Sequence, residues 1–590
     1  MKLSKLTIRN FKGIKELTLH IEDISIVIGP NNNSKSTILQ ALKQFGSKET
    51  KLDQSFYHNY ETSNPVSFHA TFTDITSEEL DLHGIRKSVH EDSGNFIVRA
   101  IYNYDQKVER ASKTTGEESH DLNYEGWDGK LGGGKDGTHF LNAFPEIVYI
   151  PAVKDASDDL KNNSQYMKTL YSLYKSVIKN LDEYKEAEEK ARLLQDKINK
   201  HNDEKINYFE EEVQEFLKDV TSTKIKFNVN VSPLEDIVST SVEPNFDFNG
   251  LETTLKHQGN GVQRTFILSI FKGFKLFKKK FNEEEKGVNR PLIIAIEEPE
   301  LYLHPHLARV FKDTLYNLVD EGFFQVIATS HSPNFIDLSK PHRTLIKLNM
   351  KEDKKISVKQ VNSDIYGLPD QEKERFQALL KFDPYVNEMF FANNVILVEG
   401  DTEVVALKSI GEKLVESGEL EEEVYQRTSV INCAGKGTMY VVLNVLNNFG
   451  VDYTCIHDFD ITEYNKKGDI RTVPSLKAAL TLNHKIERLC EIGESPKYVF
   501  QHTFEAEMPE DYEKGESKSF AAYEYIKNKS IHDIPGNLLN IIKLAYKQKS
   551  NEPIDHKNHI LLEYYDWENI NEVKKQWEVP REDYVIRVGC

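Results

Sequence analysis

Cysteine is scarce: Cys433, Cys455, Cys490 and Cys590 are the only four in 590 residues, too few and too dispersed for a disulfide framework or a zinc knuckle. They read as ordinary reduced thiols. No apolar run approaches the roughly 20 residues of a membrane-spanning helix, and the amino terminus MKLSKLTIRNF lacks the apolar core of a signal peptide. A cytoplasmic protein with no membrane partner is expected. Positive charge is not in excess either: the net charge of −19 excludes a polycation that coats nucleic acid over its whole surface. Carboxylates can still gather at a metal site with basic residues elsewhere, so net charge does not decide the substrate. Between Tyr166 and Val220 neither proline nor glycine occurs.

What is present begins with residues 24–42, ISIVIGPNNNSKSTILQAL. Ile24, Ile26, Val27 and Ile28 suit a buried strand, Gly29 supplies a turn, and Ile38, Leu39, Leu42 and Phe45 recur at helical spacing. Such a loop wraps backbone N–H groups and a helix N-terminus around phosphates, which predicts ATP as a ligand. Gly29, Asn32 and Thr37 would line it, Lys35 would reach the terminal phosphates, and Ser36 would bind magnesium. The pattern G-x-x-x-x-G-K-[ST] is broken at Ser34, which adds a Cβ where glycine is usual. Binding should survive, with altered affinity or slow hydrolysis.

The first lobe reads as largely sheet: strands meeting at Phe11-Lys12-Gly13, then Val66 to Phe72 and Phe96 to Tyr104. The Gly-rich piece 126–137 reads as a surface loop. Leu170, Leu173, Val177, Leu181 and Tyr184 fall at spacings of three and four in a charged helical arm, either a surface bundle or a dimerisation element. Then come KHQGNGVQRTFILSIF, with Gly259 and Gly261 ahead of an apolar helix; the basic-aromatic FKGFKLFKKKF; LIIAIEEPELYL; and a strand ending at Ser330-His331-Ser332. Lys278, Lys279 and Lys280 in the second of these suit DNA phosphates or a solvated helical face. Glu297 can hold magnesium through water, Glu298 can polarise the attacking water, and His331 can sense the γ-phosphate. The two glycines can clasp a phosphate presented by a second subunit.

Together these motifs resemble the ABC-type ATPase heads of the recombination and SMC group, over residues 1 to 345. That resemblance implies ATP-dependent, head-to-tail dimers. The signature GNGVQR departs from the family's serine and double glycine.

A second chemistry follows. Residues 394–403, NVILVEGDTE, form a buried strand ending at Glu399-Gly400, with Glu403 one helical turn on. Thr428 to Asn432 is a strand ending near Gly435-Lys436-Gly437, and Val451 to Ile456 another, ending in Asp458-Phe459-Asp460. Parallel strands deliver ligands to their carboxyl ends. Glu399, Glu403, Asp458 and Asp460 gathered there call for Mg²⁺ or Mn²⁺, which would bind a phosphodiester.

VEGDTE and HDFD resemble the two motifs of a Toprim domain. An ABC-type head followed by Toprim is similar to the OLD (overcoming lysogenization defect) family of ATP-dependent nucleases, which includes the nuclease subunit of Gabija phage defence. The resemblance implies a further acid and a lysine. Glu505 or Glu507 match the first, and Lys518, with Lys527 as alternative, the second. Lys518 would stabilise the reacting phosphate and Glu505 complete the metal site.

The expected fold is α/β: head 1–158 and 226–370, inserted arm 159–225, Toprim 371–530, and an uninterpreted extension 531–590. The expected function is a nucleotide-regulated, metal-dependent DNA endonuclease of anti-phage defence, at least dimeric, with an operon-encoded partner such as a helicase or retron component possible. The alternative is an ATP-driven DNA clamp or sensor whose Toprim half does not cut.

Overall fold

The computed structural model describes residues 1–30, 33–82, 85–120, 127–128, 141, 144–152, 182–200, 245–248, 250–254, 257–259, 261–263, 265–266, 269–270, 273, 292–319, 324–337, 344–350, 356–361, 386–459, 473–500, 504–508, 512, 517–546 and 587–589. Its strands, in chain order, are β1 (Lys2–Phe11), β2 (Ile14–His20), β3 (Ile24–Ile28), β4 (Val66–Thr73), β5 (Phe96–Tyr102), β6 (Glu109–Lys113), β7 (Trp127–Asp128), β8 (Glu146–Ile150), β9 (Asn245–Phe248), β10 (Leu251–Thr254), β11 (Leu292–Glu297), β12 (Phe324–Thr329), β13 (Leu345–Met350), β14 (Ile356–Lys359), β15 (Asn394–Val398), β16 (Thr428–Asn432), β17 (Thr454–Asp458), β18 (Lys497–Phe500) and β19 (Arg587–Gly589). The helices used below are α1 (Lys35–Phe45), α2 (Asp182–Lys200), α3 (Pro305–Val319), α4 (Asp401–Glu416), α5 (Lys436–Phe449), α6 (Val473–Ile492), α7 (Phe504–Glu507), α8 (Lys518–Asn528) and α9 (Gly536–Tyr546).

Two sheets build the head. The first, β2-β1-β4-β5-β6-β7, is antiparallel throughout. Its strands alternate: Leu6, Ile8, Phe68, Ala70, Val98 and Ala100 are buried in one core, while Thr7, His69 and Arg99 lie opposite one another on the other face. The second sheet runs β14-β13-β3-β12-β11-β8, with β13, β3, β12, β11 and β8 mutually parallel. Every residue of β3, β11 and β12 is buried. That is why these strands read as continuous apolar runs rather than alternations. Leu39 and Phe45 of α1 join Phe72, Ile293 and Ile327 in the core shared by both sheets.

The third sheet, β16-β15-β17-β18-β19, is parallel except for β19. Its core joins Ile396, Val398 and Ile456 to Leu407 and Ile410 of α4 and to Ala522 and Ile526 of α8. It also takes in Ile534, Leu538, Ile541, Ile542 and Ala545. The apolar face of α9, which lies beyond the expected boundary at 530, packs into this same core. Trp127 and Asp128, expected in a surface loop, pair with Lys113 and Ser112 as a short edge strand.

Residues 153–287 with 301–303 form a second compact unit. Described there are α2, which lies within the expected arm, and the hairpin β9–β10. The rest of the arm, Asn32, Asp460 and Lys278 to Lys280 lie outside the described residues. Among those described, no helix is long and apolar enough to cross a membrane.

Candidate active sites

The head's site forms where β3, β11 and β12 end side by side. Gly29 leaves β3 at φ 151°, and a Cβ there would stand 2.6 Å from the Leu348 carbonyl oxygen, so the turn requires glycine. Ser34, directly before α1, takes the left-handed conformation, φ 58° and ψ 23°. This backbone is what a glycine at that position would relax. Space for the serine comes from the β1–β2 turn: a Cβ on Gly13 would lie 2.5 Å from Ser34 Oγ. Lys35 is buried, its Nζ donating to the carbonyls of Gly29 at 2.9 Å and Pro30 at 2.8 Å. Burial lowers its pKa to about 8, opposed by the negative charges of Glu298 and Glu300. Ser36 is exposed and Thr37 half-buried. Asn33, not singled out from sequence, has a buried Nδ2 without a partner, a donor suited to an anion in this loop.

The three glutamates of EEPE separate. Glu297 is buried and turned toward β8, accepting from Tyr149 Oη at 2.8 Å and from the Ala152 N–H at 3.1 Å. Glu298, at φ 40°, donates its N–H to the Thr329 carbonyl at 2.9 Å, and its Oε1 lies 3.6 Å from His331 Nε2. Glu300 accepts from Ser330 Oγ at 2.8 Å and the His331 N–H at 2.7 Å, while its Oε2 is buried without a partner. Burial raises its pKa. Burial, then Lys35, lowers that of His331. Lys35, Glu298, Glu300 and His331 thus form one electrostatic group, and the unpartnered carboxylate oxygen fits a Mg²⁺ ion beside a triphosphate. Glu300 was missed in the sequence; its spacing of two from Glu298 was the available signal. Gly259 and Gly261 lie in the second unit, where a Cβ on Gly261 would meet the Leu303 side chain at 2.6 Å.

The Toprim site lies at the carboxyl ends of β15, β17 and β18. Glu399 follows β15 directly, and its Oε1 accepts from the Asp458 N–H at 2.8 Å while its backbone oxygen accepts from the Gly435 N–H at 2.8 Å. Asp458 ends β17 and accepts from the Phe504 N–H, the first residue of α7, at 2.8 Å. Glu505, next on α7, makes a short ion pair with Lys518 at the start of α8. Glu505 holds the Lys518 ammonium above its ordinary pKa, and Tyr512 and Asp458 reinforce this. Lys527 instead places Nζ 5.4 Å from the Tyr523 ring centroid, so of these two lysines it is Lys518 that pairs with Glu505. Glu403 is buried on the first turn of α4, close to Gly400. The side chain of Glu507 is not described.

Lys436, noted in the sequence only as part of a glycine-flanked triplet, is buried with Nζ 3.8 Å from Glu399 Oε1. The donors at hand are all carboxylate oxygens, the chemistry a hard divalent cation prefers. Among the described residues, no three His, Cys, Asp or Glu side chains converge into a ready-made metal cage. Glu399, Asp458 and Glu505 are each held by a protein donor.

A short helical turn, Val386–Phe390, contacts the segment after His331 and the far end of α5. Asn387 is buried there, and its Nδ2 donates to the Pro333 carbonyl at 3.2 Å and the Ile336 carbonyl at 3.1 Å, two residues after His331 and beyond. Three residues on, Phe390 packs edge to face on Phe449, the last residue of α5, with centroids 5.4 Å apart.

Residues 1–336 match the AAA ATPase domain family, and residues 390–460 match the family described as overcoming lysogenization defect protein-like, TOPRIM domain. The Old nuclease of Escherichia phage P2 is 25% identical over 478 residues, 78% of this chain and 77% of that protein. The OLD nuclease of Thermus scotoductus is 22% identical over 527 residues, 86% of this chain and 91% of that one. Endonuclease GajA of Bacillus cereus (strain VD045) is 22% identical over 509 residues, covering 82% and 79%. A solved SMC head bound to the C-winged helix domain of ScpA covers 61% of this chain and 99% of its own, at 12% identity and a TM-score of 0.36. The chain belongs to the AAA ATPase domain family and carries an OLD-like TOPRIM domain behind that ATPase, the two-domain composition of the OLD family.

Proposed function

We propose that this protein is a DNA endonuclease of anti-phage defence, dependent on a divalent metal and regulated by nucleotide. The observation that carries the reading is the meeting of Glu399, Asp458 and the Glu505–Lys518 pair at one sheet edge. Names of relatives, nuclease in two and endonuclease in a third, point the same way.

Glu399, Glu403, Asp458 and Glu505, with Asp460, would hold Mg²⁺ or Mn²⁺, which when bound supplies a nucleophilic hydroxide and stabilises the leaving oxygen. Lys518 carries its full charge at neutral pH and binds the non-bridging oxygens of the scissile phosphate, opposing the charge that builds there. Backbone N–H groups of Asp458 and Phe504 keep Glu399 and Asp458 in place during the reaction.

For regulation, the supporting feature is Asn387. A change at His331 on nucleotide binding shifts the turn at Pro333, and Asn387 passes that shift through Phe390 to α5, whose first residue lies beside Glu399. An ATP site shared between two heads, as the head's resemblance implies, would make a homodimer the working form.

The test incubates supercoiled and linear DNA with the purified protein, each divalent ion and several nucleotide states. Cleavage should need Mg²⁺ or Mn²⁺ and disappear in Glu399→Ala, with ATP binding retained. Undiminished cutting by that variant places the activity elsewhere. If no DNA is cut under any condition, the ATP-driven clamp or sensor replaces the nuclease.

A further inference from the structure

We infer that Lys436 is a positioning residue of the Toprim site, which together with Asn483 fixes the rotation of the Glu399 carboxylate and so strengthens its hold on a divalent cation. The meaning of the inference rests on the metal-dependent reading above; its geometry does not.

Lysine is a costly residue to bury, and the first position of α5 could be filled by an apolar side chain of similar length. Here Nζ lies 3.0 Å from Asn483 Oδ1 on α6 and 3.8 Å from Glu399 Oε1. Asn483 Nδ2 in turn donates to the Phe459 carbonyl at 2.9 Å, in the residue after Asp458. A continuous polar tie thus runs from the Glu399 carboxylate through Lys436 and Asn483 to the loop that carries the acidic pair. The backbone adds a parallel tie, since Gly435, at φ 108°, donates its N–H to the Glu399 carbonyl. The ammonium and the Asp458 N–H both approach Oε1, so between them they set the carboxylate's rotation.

Two effects of opposite sign meet at this lysine. Its charge repels a cation bound to the same carboxylate, and its fixed place orders that carboxylate before the cation arrives. Because Nζ hydrogen-bonds to Asn483 and stands slightly further from Glu399, we assign the ordering effect the larger weight. The sign of the change on removing the charge therefore decides the matter.

The experiment titrates Mn²⁺ into the full-length protein by calorimetry, without DNA or nucleotide, and records thermal melting alongside. Lys436→Met should weaken Mn²⁺ binding by roughly 10-fold, the lower end of the effect of outer groups that orient metal ligands. Lys436→Arg should restore most of it. Asn483→Leu, which keeps the lysine and removes the tie, should weaken binding in the same direction, and covers the case in which Lys436→Met fails to fold. Mn²⁺ binding by Lys436→Met that equals or exceeds the parent's, while Glu399→Ala loses it, overturns this inference alone. Mn²⁺ binding that Glu399→Ala leaves intact overturns the metal-site reading and this inference together. A parallel fall in melting temperature and binding that arginine does not rescue assigns Lys436 to the core instead and overturns it as well.

Discussion

The head and Toprim sites share a plan, acidic side chains at the carboxyl ends of parallel strands, yet they hold those side chains differently. In the head, the functional groups satisfy one another: Lys35 sits on the carbonyls of its own loop, Glu298 faces His331, and Glu300 is held by Ser330 and the His331 N–H. A triphosphate that takes up the Lys35 ammonium would displace the first of these contacts. In the Toprim site, Glu399 and Asp458 are gripped by backbone N–H groups of the sheet edge and of α7. Backbone donors at element ends cannot swing away as side chains do. The first arrangement suits a switch and the second suits a fixed reaction centre.

The sharpest way to break this contrast is to remove the fixed centre. Asp458→Ala, like Glu399→Ala, should lower cleavage by about 10³-fold or more, as loss of a ligand in a metal-assisted hydrolysis does. ATP binding measured by fluorescence titration should stay within a fewfold of the parent; a matching loss of ATP binding would mean that the two sites are not separable.

Next in size is Lys35. Lys35→Ala should weaken ATP binding by roughly 10- to 100-fold, the worth of a hydrogen bond to a charged group. With its pKa lowered from 10.5 to about 8, Lys35 loses its proton in the empty site as pH rises through 8, so ATP affinity should decline across that range and ATP binding should be accompanied by proton uptake at Lys35. The same shift acts on folding in the opposite direction: between pH 8 and 10.5 the unfolded chain holds the proton and the folded chain does not, so this group's penalty is relieved as pH rises. Flat ATP affinity from pH 7 to 9.5 would remove Lys35 from the phosphates.

Smaller effects probe the connection and the loop. Asn387→Ala removes the side-chain donor to the Pro333 and Ile336 carbonyls, of which Pro333 keeps the Ile336 N–H; nucleotide-free cleavage should change by no more than about twofold, while the difference made by ATP should flatten. A full ATP response in this variant would break the proposed link. Least in size, Gly13→Ala should lower the melting temperature by pushing a methyl group against Ser34 Oγ. Ser34→Gly should restore it and by itself relieve about 1 kcal/mol of left-handed strain. Additive effects in the double variant would show that the two positions do not touch.

Much of this was legible in the sequence because it is carried by order along the chain. Strands buried on both faces announce themselves as apolar runs, as in residues 24–28 and 394–398, and a glycine followed by helical spacing marks the turn into α1. That determined the α/β class and the presence of Lys35, Glu297, Glu298, Glu399 and Asp458 at or just after strand ends, while the order of ATPase then Toprim followed from the families that the motifs resemble. Which acid faces which partner depended on tertiary structure. At the end of β11 the backbone turns through φ 40° at Glu298, so Glu297 goes to Tyr149 while Glu298 and Glu300 reach the neighbourhood of Lys35. Lys518 and Lys527 are equivalent as letters and differ only because α7 brings Glu505 to one of them. Lys436 and Asn483, 47 residues apart, and the apolar face of α9 acquire their roles only when α5, α6 and α9 pack around β15 and β17. Local pattern reports how a segment is buried; the direction of a side chain at the segment's end is set by the neighbours that fold against it.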